Sequence, residues 1–156
     1  MTCVCEQYGP LELLREEIDK RIRETRKIRR TLRLVAEHFQ GEHKLYRCKS
    51  CDRAWQISRA WNWGNYRYAF NVPEIATEEW CDLPFMQPDE LLIYNAFLHG
   101  FLQKNTFAES QQLCKASECK RCANAYSVFC LEHHIESLQR SGALPKRPDG
   151  RWFPPY

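Results

Sequence analysis

The sequence predicts an α+β fold, and three observations predict it. Apolar residues recur at helical steps of three and four near the start of the chain, over 88–104 and over 131–140. Between the first two of these, aromatic residues alternate at the period of two that strands require. Nine cysteines fall into short-range groups along the chain. A length of 156 residues suits one domain over 1–156. With 44% hydrophobic and 28% charged residues, the chain lies outside the membrane and disordered classes. No apolar run reaches the ~20 residues needed to cross a bilayer, so no membrane partner is expected. The first residues, Met1 to Glu6, lack the charged-then-apolar layout of an export signal, and a cytoplasmic location is the expectation. There, thiols bind metal far more often than they pair, and an odd number cannot close a disulfide framework.

The first element is a long basic helix over 10–40. Leu11, Leu14, Ile18, Ile22, Ile28, Leu32, Val35 and Phe39 form its stripe, with Pro10 in the first turn and Gly41 as the stop. Acids Glu12, Glu16, Glu17 and Asp19 precede the bases Lys20 to Arg33, an order that agrees with the helix dipole. Such a face is solvated, or it serves recognition. Arg23, Arg26, Lys27, Arg29 and Arg30 are the partner-binding candidates, for an acidic protein surface or for nucleic acid. The stripe also resembles a heptad seam interrupted by Arg21 and Thr25, which admits pairing within the fold or self-association. A net charge of +3 does not choose between these partners.

The second element spans 45–72. Cys48-x2-Cys51 is a turn able to aim two sulfurs at one tetrahedral ion. A redox pair of the same spacing opens a helix, whereas strand-like sequence follows here, which favours a zinc knuckle. Trp55, Ile57, Trp61 and Trp63 then alternate, as do Tyr66, Tyr68, Phe70 and Val72, with Gly64-Asn65 as a two-residue hairpin turn. That register sets Trp63 opposite Tyr66 and Trp61 opposite Tyr68, an aromatic ladder for core packing rather than a stacking platform for bases. The knuckle supplies two ligands only. Cys3 with Cys5, Cys81, and His38 with His43 are the candidates to complete it, the remaining alternative being that nothing does.

Residues 73–88 read as a loop, and 88–104 as a buried central helix, apolar on more than one stripe. Thr106 to Glu109 forms a capping box that predicts a short helix. Over 114–141 the pattern Cys114-x4-Cys119, then Cys130-x2-His133 at the start of a helix, supplies four soft or borderline ligands. Cys122 and His134 are the alternates within this zinc module. Four protein ligands describe a closed structural site, since a catalytic zinc keeps one position open. Neither a His-Glu-x-x-His helix nor a deaminase-type pattern is present, nor a phosphate loop or nucleophile elbow, so no catalytic residues are assigned. The ending, 143–156, is proline-rich and predicts an extended strap or docking segment.

Over about 45–134, Tyr46-Arg47-Cys48-x2-Cys51-x3-Trp55, the aromatic stretch, and the later Cys-x4-Cys and Cys-x2-His resemble small bacterial zinc-binding proteins with knuckle and treble-clef-like motifs. Some of these are similar to immunity proteins of polymorphic or contact-delivered toxin systems. The resemblance implies non-catalytic binding to a cognate toxin, in which the basic helix meets an acidic face. The alternative is a small zinc-finger protein that binds nucleic acid through 20–33.

Overall fold

A computed structural model describes residues 3–38 and 41–156. The chain forms two compact units: the residues up to Leu92 together with Pro148–Tyr156, and Ile93–Arg147.

The first unit is built on a four-stranded antiparallel meander, β1 (Leu32–His38), β2 (His43–Cys48), β3 (Ala54–Ala60) and β4 (Tyr66–Asn71), in the order β1-β2-β3-β4. Helix α1 spans Arg15–Arg30 and buries Ile18, Arg21, Thr25 and Ile28. The heptad-like seam of the sequence is therefore occupied within the chain. Thr25 Oγ1 accepts the Ala69 amide at 2.9 Å, and the Arg21 guanidinium donates to the Ala69 carbonyl at 3.1 Å. That guanidinium lies 5.1 Å from the Tyr8 ring centre and 6.0 Å from that of Trp55, which offsets part of its desolvation.

The N-terminal helix is shorter than the predicted 10–40. Thr31 Oγ1 turns back to the Ile28 carbonyl at 2.7 Å, and Lys49 takes the Thr31 and Arg30 carbonyls with its amide (2.9 Å) and ammonium (3.0 Å). With these helix-end acceptors satisfied, the chain leaves α1 as strand β1. Leu32 and Val35 fit a helical stripe equally well, but pairing with β2 overrides that local preference. Phe39 lies outside the described residues. Gly41, expected as a helix stop, sits between β1 and β2 at φ +76°, a conformation that favours glycine.

The aromatic hairpin also differs in register. Ser58 faces Tyr68, Gln56 faces Phe70 and Ala60 faces Tyr66, leaving Trp61 to Asn65 as a five-residue connection. Trp61 and Trp63 therefore belong to the turn and not to a ladder, and the sheet's aromatics divide between its two faces. Trp55 and Ile57 pack with Tyr46, Ala69, Ile28 and Leu32. Tyr68 and Phe70 pack with Leu45, Trp80, Phe85 and Phe153. Trp80 comes from α2 (Thr77–Asp82), a short helix within the stretch read as loop.

A single buried amide organises this second cluster. Gln56 donates to Ser58 Oγ (3.0 Å) and the Phe85 carbonyl (2.8 Å), and accepts from Trp80 Nε1 (2.8 Å) and the Phe85 amide (2.9 Å). The C-terminal residues strap the same region. Arg151 exchanges backbone bonds with Pro84 and Met86 and pairs with Glu79 at 2.9 Å, while Phe153 stacks on Phe70. Gly150, at φ +113°, runs so close that a Cβ there would lie 2.7 Å from the Met86 amide nitrogen.

Helix α3 (Pro88–Lys104) forms as expected, but it is not a buried core helix. Its fully buried residues are Pro88, Asp89 and Leu91, whereas Phe97 is 60% exposed. Apolar content alone did not reveal that the sheet already fills the core. In the second unit, Glu109–Leu113 forms β5 rather than the helix suggested by the capping box. It pairs antiparallel with β6 (Cys122–Asn124), and α4 (Leu131–Arg140) follows.

Two outcomes are expected. Replacing Gln56 with Leu orphans the Trp80 N–H and both backbone groups of Phe85, at about 1–3 kcal/mol each for groups left unsatisfied. Urea denaturation of Gln56→Leu should show a loss of about 3 kcal/mol or more. Glu90 is pushed up to about 7, first by burial and then by the charges of Asp89 and Asp149. The folded state thus holds its proton more tightly than the unfolded chain, and Glu90 lowers stability as pH rises from about 4.5 to about 7. Thermal melts across this window should show Glu90→Gln gaining on the parent as pH rises, with little difference below about pH 4.5.

Candidate metal centres

The first centre is assembled from two distant parts of the sequence. Cys48 closes β2, and Cys51 sits on the β2–β3 turn, where Asp52 adopts φ +59°. The Cys48 amide bonds to the Arg53 carbonyl and the Asp52 amide to the Cys48 carbonyl, both at 3.0 Å, which fixes the loop. Cys3 and Cys5 come from the start of the chain, around a 3-10 turn at Val4–Gln7. Arg53 anchors that turn through the Cys5 carbonyl at 3.2 Å, and the Trp55 indole N–H points at Cys5 Sγ at 3.2 Å. Cys3 Sγ lies 3.4 Å from Cys48 Sγ and 3.3 Å from Cys51 Sγ.

The second centre lies wholly within the second unit. Cys114 follows β5, Cys119 lies in the turn before β6, Cys130 caps α4, and His133 stands in its first turn. The Cys114 amide bonds to the Arg121 carbonyl at 2.9 Å and closes this turn. His133 Nδ1 is 3.4 Å from Cys114 Sγ and 3.2 Å from Cys130 Sγ, and Cys119 Sγ is 4.0 Å from Cys130 Sγ.

In each centre the four donor atoms all lie within 4.8 Å of one another. These separations are too long for disulfides, whose sulfurs stand about 2.0 Å apart. They do match the edges of a coordination tetrahedron. Metal–sulfur bonds of about 2.3 Å place two sulfurs about 3.8 Å apart, and a sulfur and a histidine nitrogen about 3.6 Å apart. Each group can therefore hold a metal ion with four protein donors.

The electrostatics fit that role. Burial works against the Cys48 thiolate, but the backbone amides of Ser50 and Cys51 and the neighbouring thiols bring it down to about 6. Cys114 behaves alike: burial opposes its charge, and the amides of Cys130 and Ala116 with the His133 ring bring it to about 6. Burial pushes Cys5 up, outweighing the indole hydrogen bond. Cys3 is also raised: the Cys5 amide favours its thiolate, but the Cys51 thiol, burial and the Cys48 thiol outweigh that bond. Cys48 and Cys114 thus give each group one thiolate that forms readily, and a bound cation favours the thiolate of a thiol held beside it.

The structure thus brings Cys48 and Cys51 together with Cys3 and Cys5, one of the completions the sequence left open. Cys114, Cys119, Cys130 and His133 converge as well. The alternates lie elsewhere. His134 Nδ1 is 3.4 Å from Ser127 Oγ and its ring neighbours Phe101 and Phe107. Cys122 begins β6, Cys81 packs against the core, and His38 and His43 stand with ring centres 6.0 Å apart. None of these belongs to either four-donor group. The Cys3-Val4-Cys5 pair was the sequence signal for the first centre, and only the fold could choose it.

Fold and donors together define a small α+β protein with two four-donor Cys/His centres. Beyond that class no likeness helps, for the chain matches no family model, no curated protein and no solved structure.

Each centre should bind one metal equivalent. Elemental analysis of Cys51→Ser and of Cys130→Ser should each show one equivalent lost relative to the parent. Cys122→Ser, outside both groups, should retain both.

Proposed function

We propose that both centres hold zinc and that the protein is a zinc-stabilised, non-catalytic binding protein whose partner is an acidic protein surface. The observation that carries this reading is the completeness of the donor sets. All four positions of each centre are supplied by the chain, which suits a structural ion and leaves no site for an activated water. Donor sets of four thiolates, or of three thiolates and an imidazole, are soft, and they select zinc over the hard cations that prefer oxygen.

The basic helix supplies the recognition surface. Arg23, Arg26, Lys27, Arg29 and Arg30 are all exposed, and their side chains form no ion pair with any described residue. Cations on the sheet contrast with them: Arg33 pairs with Asp52 at 2.6 Å, and Arg47 with Glu74 at 2.5 Å. The helix is also bipolar, with Glu16, Glu17 and Asp19 toward its start and Glu24 among the bases. A patterned surface of both signs fits a folded partner of complementary pattern better than a uniformly negative phosphate backbone. Neutralisation of a toxin domain is the specific form of this function that the family resemblance implies.

The purified protein should be colourless and carry two zinc equivalents, and chelation should lower its melting temperature. Affinity capture should return a partner whose binding weakens about tenfold or more in the Arg26→Glu/Arg29→Glu variant, with the melting temperature unchanged. Fluorescence anisotropy with duplex DNA and single-stranded RNA should show no saturable binding at low salt. Nucleic-acid binding that falls steeply with salt would replace this reading with the nucleic-acid one.

A further inference from the structure

The first unit contains a cavity of about 400 Å³ whose lining includes four cations and no acid. Arg26 and Arg29 reach it from α1, Lys44 from β2 and Arg67 from β4. Ile22 and Ile57 supply apolar wall, and Thr25 and Tyr46 complete the lining. The volume lies in the range of small-molecule sites.

The charge of the lining points to a ligand, because these cations are incompletely neutralised. Lys44 pairs with Glu37 at 2.6 Å, and Arg67 spends one N–H on the Gly41 carbonyl at 3.1 Å, whereas Arg26 and Arg29 form no ion pair with a described residue. Thr25 is already committed, donating to the Arg21 carbonyl and accepting from Ala69.

We propose that this cavity is a binding site for a phosphomonoester, with the phosphoryl group held by Arg29, Arg26, Lys44 and Arg67 and its apolar substituent against Ile22, Ile57 and Tyr46. Three guanidiniums offer planar N–H forks that match phosphate oxygens, and one ammonium adds a point charge. The excess of positive charge favours a dianion over a monocarboxylate. The apolar wall distinguishes a phosphate ester from inorganic phosphate, which would leave that surface uncovered. This inference goes beyond the partner surface proposed above. It shares Arg26 and Arg29 with that surface and adds Lys44, Tyr46 and Arg67, which are not part of the exposed helix face.

The test uses phenyl phosphate as the probe, titrated into the full chain by calorimetry at constant ionic strength, with inorganic phosphate, benzenesulfonate and phenol as comparisons. Phenyl phosphate should bind saturably, about tenfold tighter than either anion, and phenol should not bind. Arg67→Gln and Arg29→Gln should each weaken it about tenfold, the range expected when one hydrogen bond to a charged group is lost. Arg23→Gln, off the cavity, should leave it unchanged. If Arg67→Gln folds poorly, backbone NMR shifts on parent protein supply the location: phenyl phosphate should move the amides of Lys44, Tyr46 and Ile57. Absence of saturable binding, equal affinity for benzenesulfonate, or shifts confined to the outer helix face would overturn the site. Loss of macromolecular partner binding in Arg23→Glu with phenyl phosphate affinity intact would separate the two surfaces.

Discussion

The β2–β3 turn is the constraint on which the first unit depends. In six residues, Cys48 to Arg53, it fixes two sulfurs, anchors the Cys5 carbonyl through Arg53, and takes the terminal carbonyls of α1 through Lys49. The start of the chain, the end of the helix and the middle of the sheet thus meet at one short loop. A metal ion held there would close a loop of more than forty residues between Cys5 and Cys48, and its binding free energy would become folding free energy for everything between them. The hydrophobic cluster around Trp55 reinforces the same junction, because its indole both fills the core and orients a donor sulfur.

The second unit meets the same need with less material. Its ligands come from a two-stranded ribbon and the first turn of one helix, and none of the residues of α4 is fully buried. So small a hydrophobic interior leaves little to offset the loss of conformational entropy. A metal ion held between turn and helix would add what packing does not. The two centres would then differ in what they do for their surroundings: one joins an existing core, the other stands in for one.

Much of this was legible in the sequence, and the boundary of legibility is physical. Ligand spacing is a short-range property, so Cys48-x2-Cys51 and Cys130-x2-His133 announced themselves. The union of Cys3 and Cys5 with the knuckle is a long-range property, visible only once α1 and the sheet are in place. Leu32, Val35 and their neighbours satisfy helical and strand periods alike, and the decision between them is made by β2 and Lys49. The hairpin register depended on the turn: Gly64-Asn65 looks like a two-residue connection, but the chain uses five residues, and every pairing moves with it. The apolar run of α3 suggested a core helix because composition reports what a segment prefers, not whether a core remains to be filled.

The chain order of the two units carries a final consequence. The first unit resumes at Pro148, after the second has been completed, and Arg151 and Phe153 then knit into the segment around Phe85. Topologically, the second unit is a guest domain spliced into a host. If the guest were to melt, the host would have to close over a flexible loop, at an entropic cost that rises only with the logarithm of the loop's length. Lengthening or shortening the insert would then change the stability of the host little, because the sheet and the strap around Phe85 are made by the host's own residues.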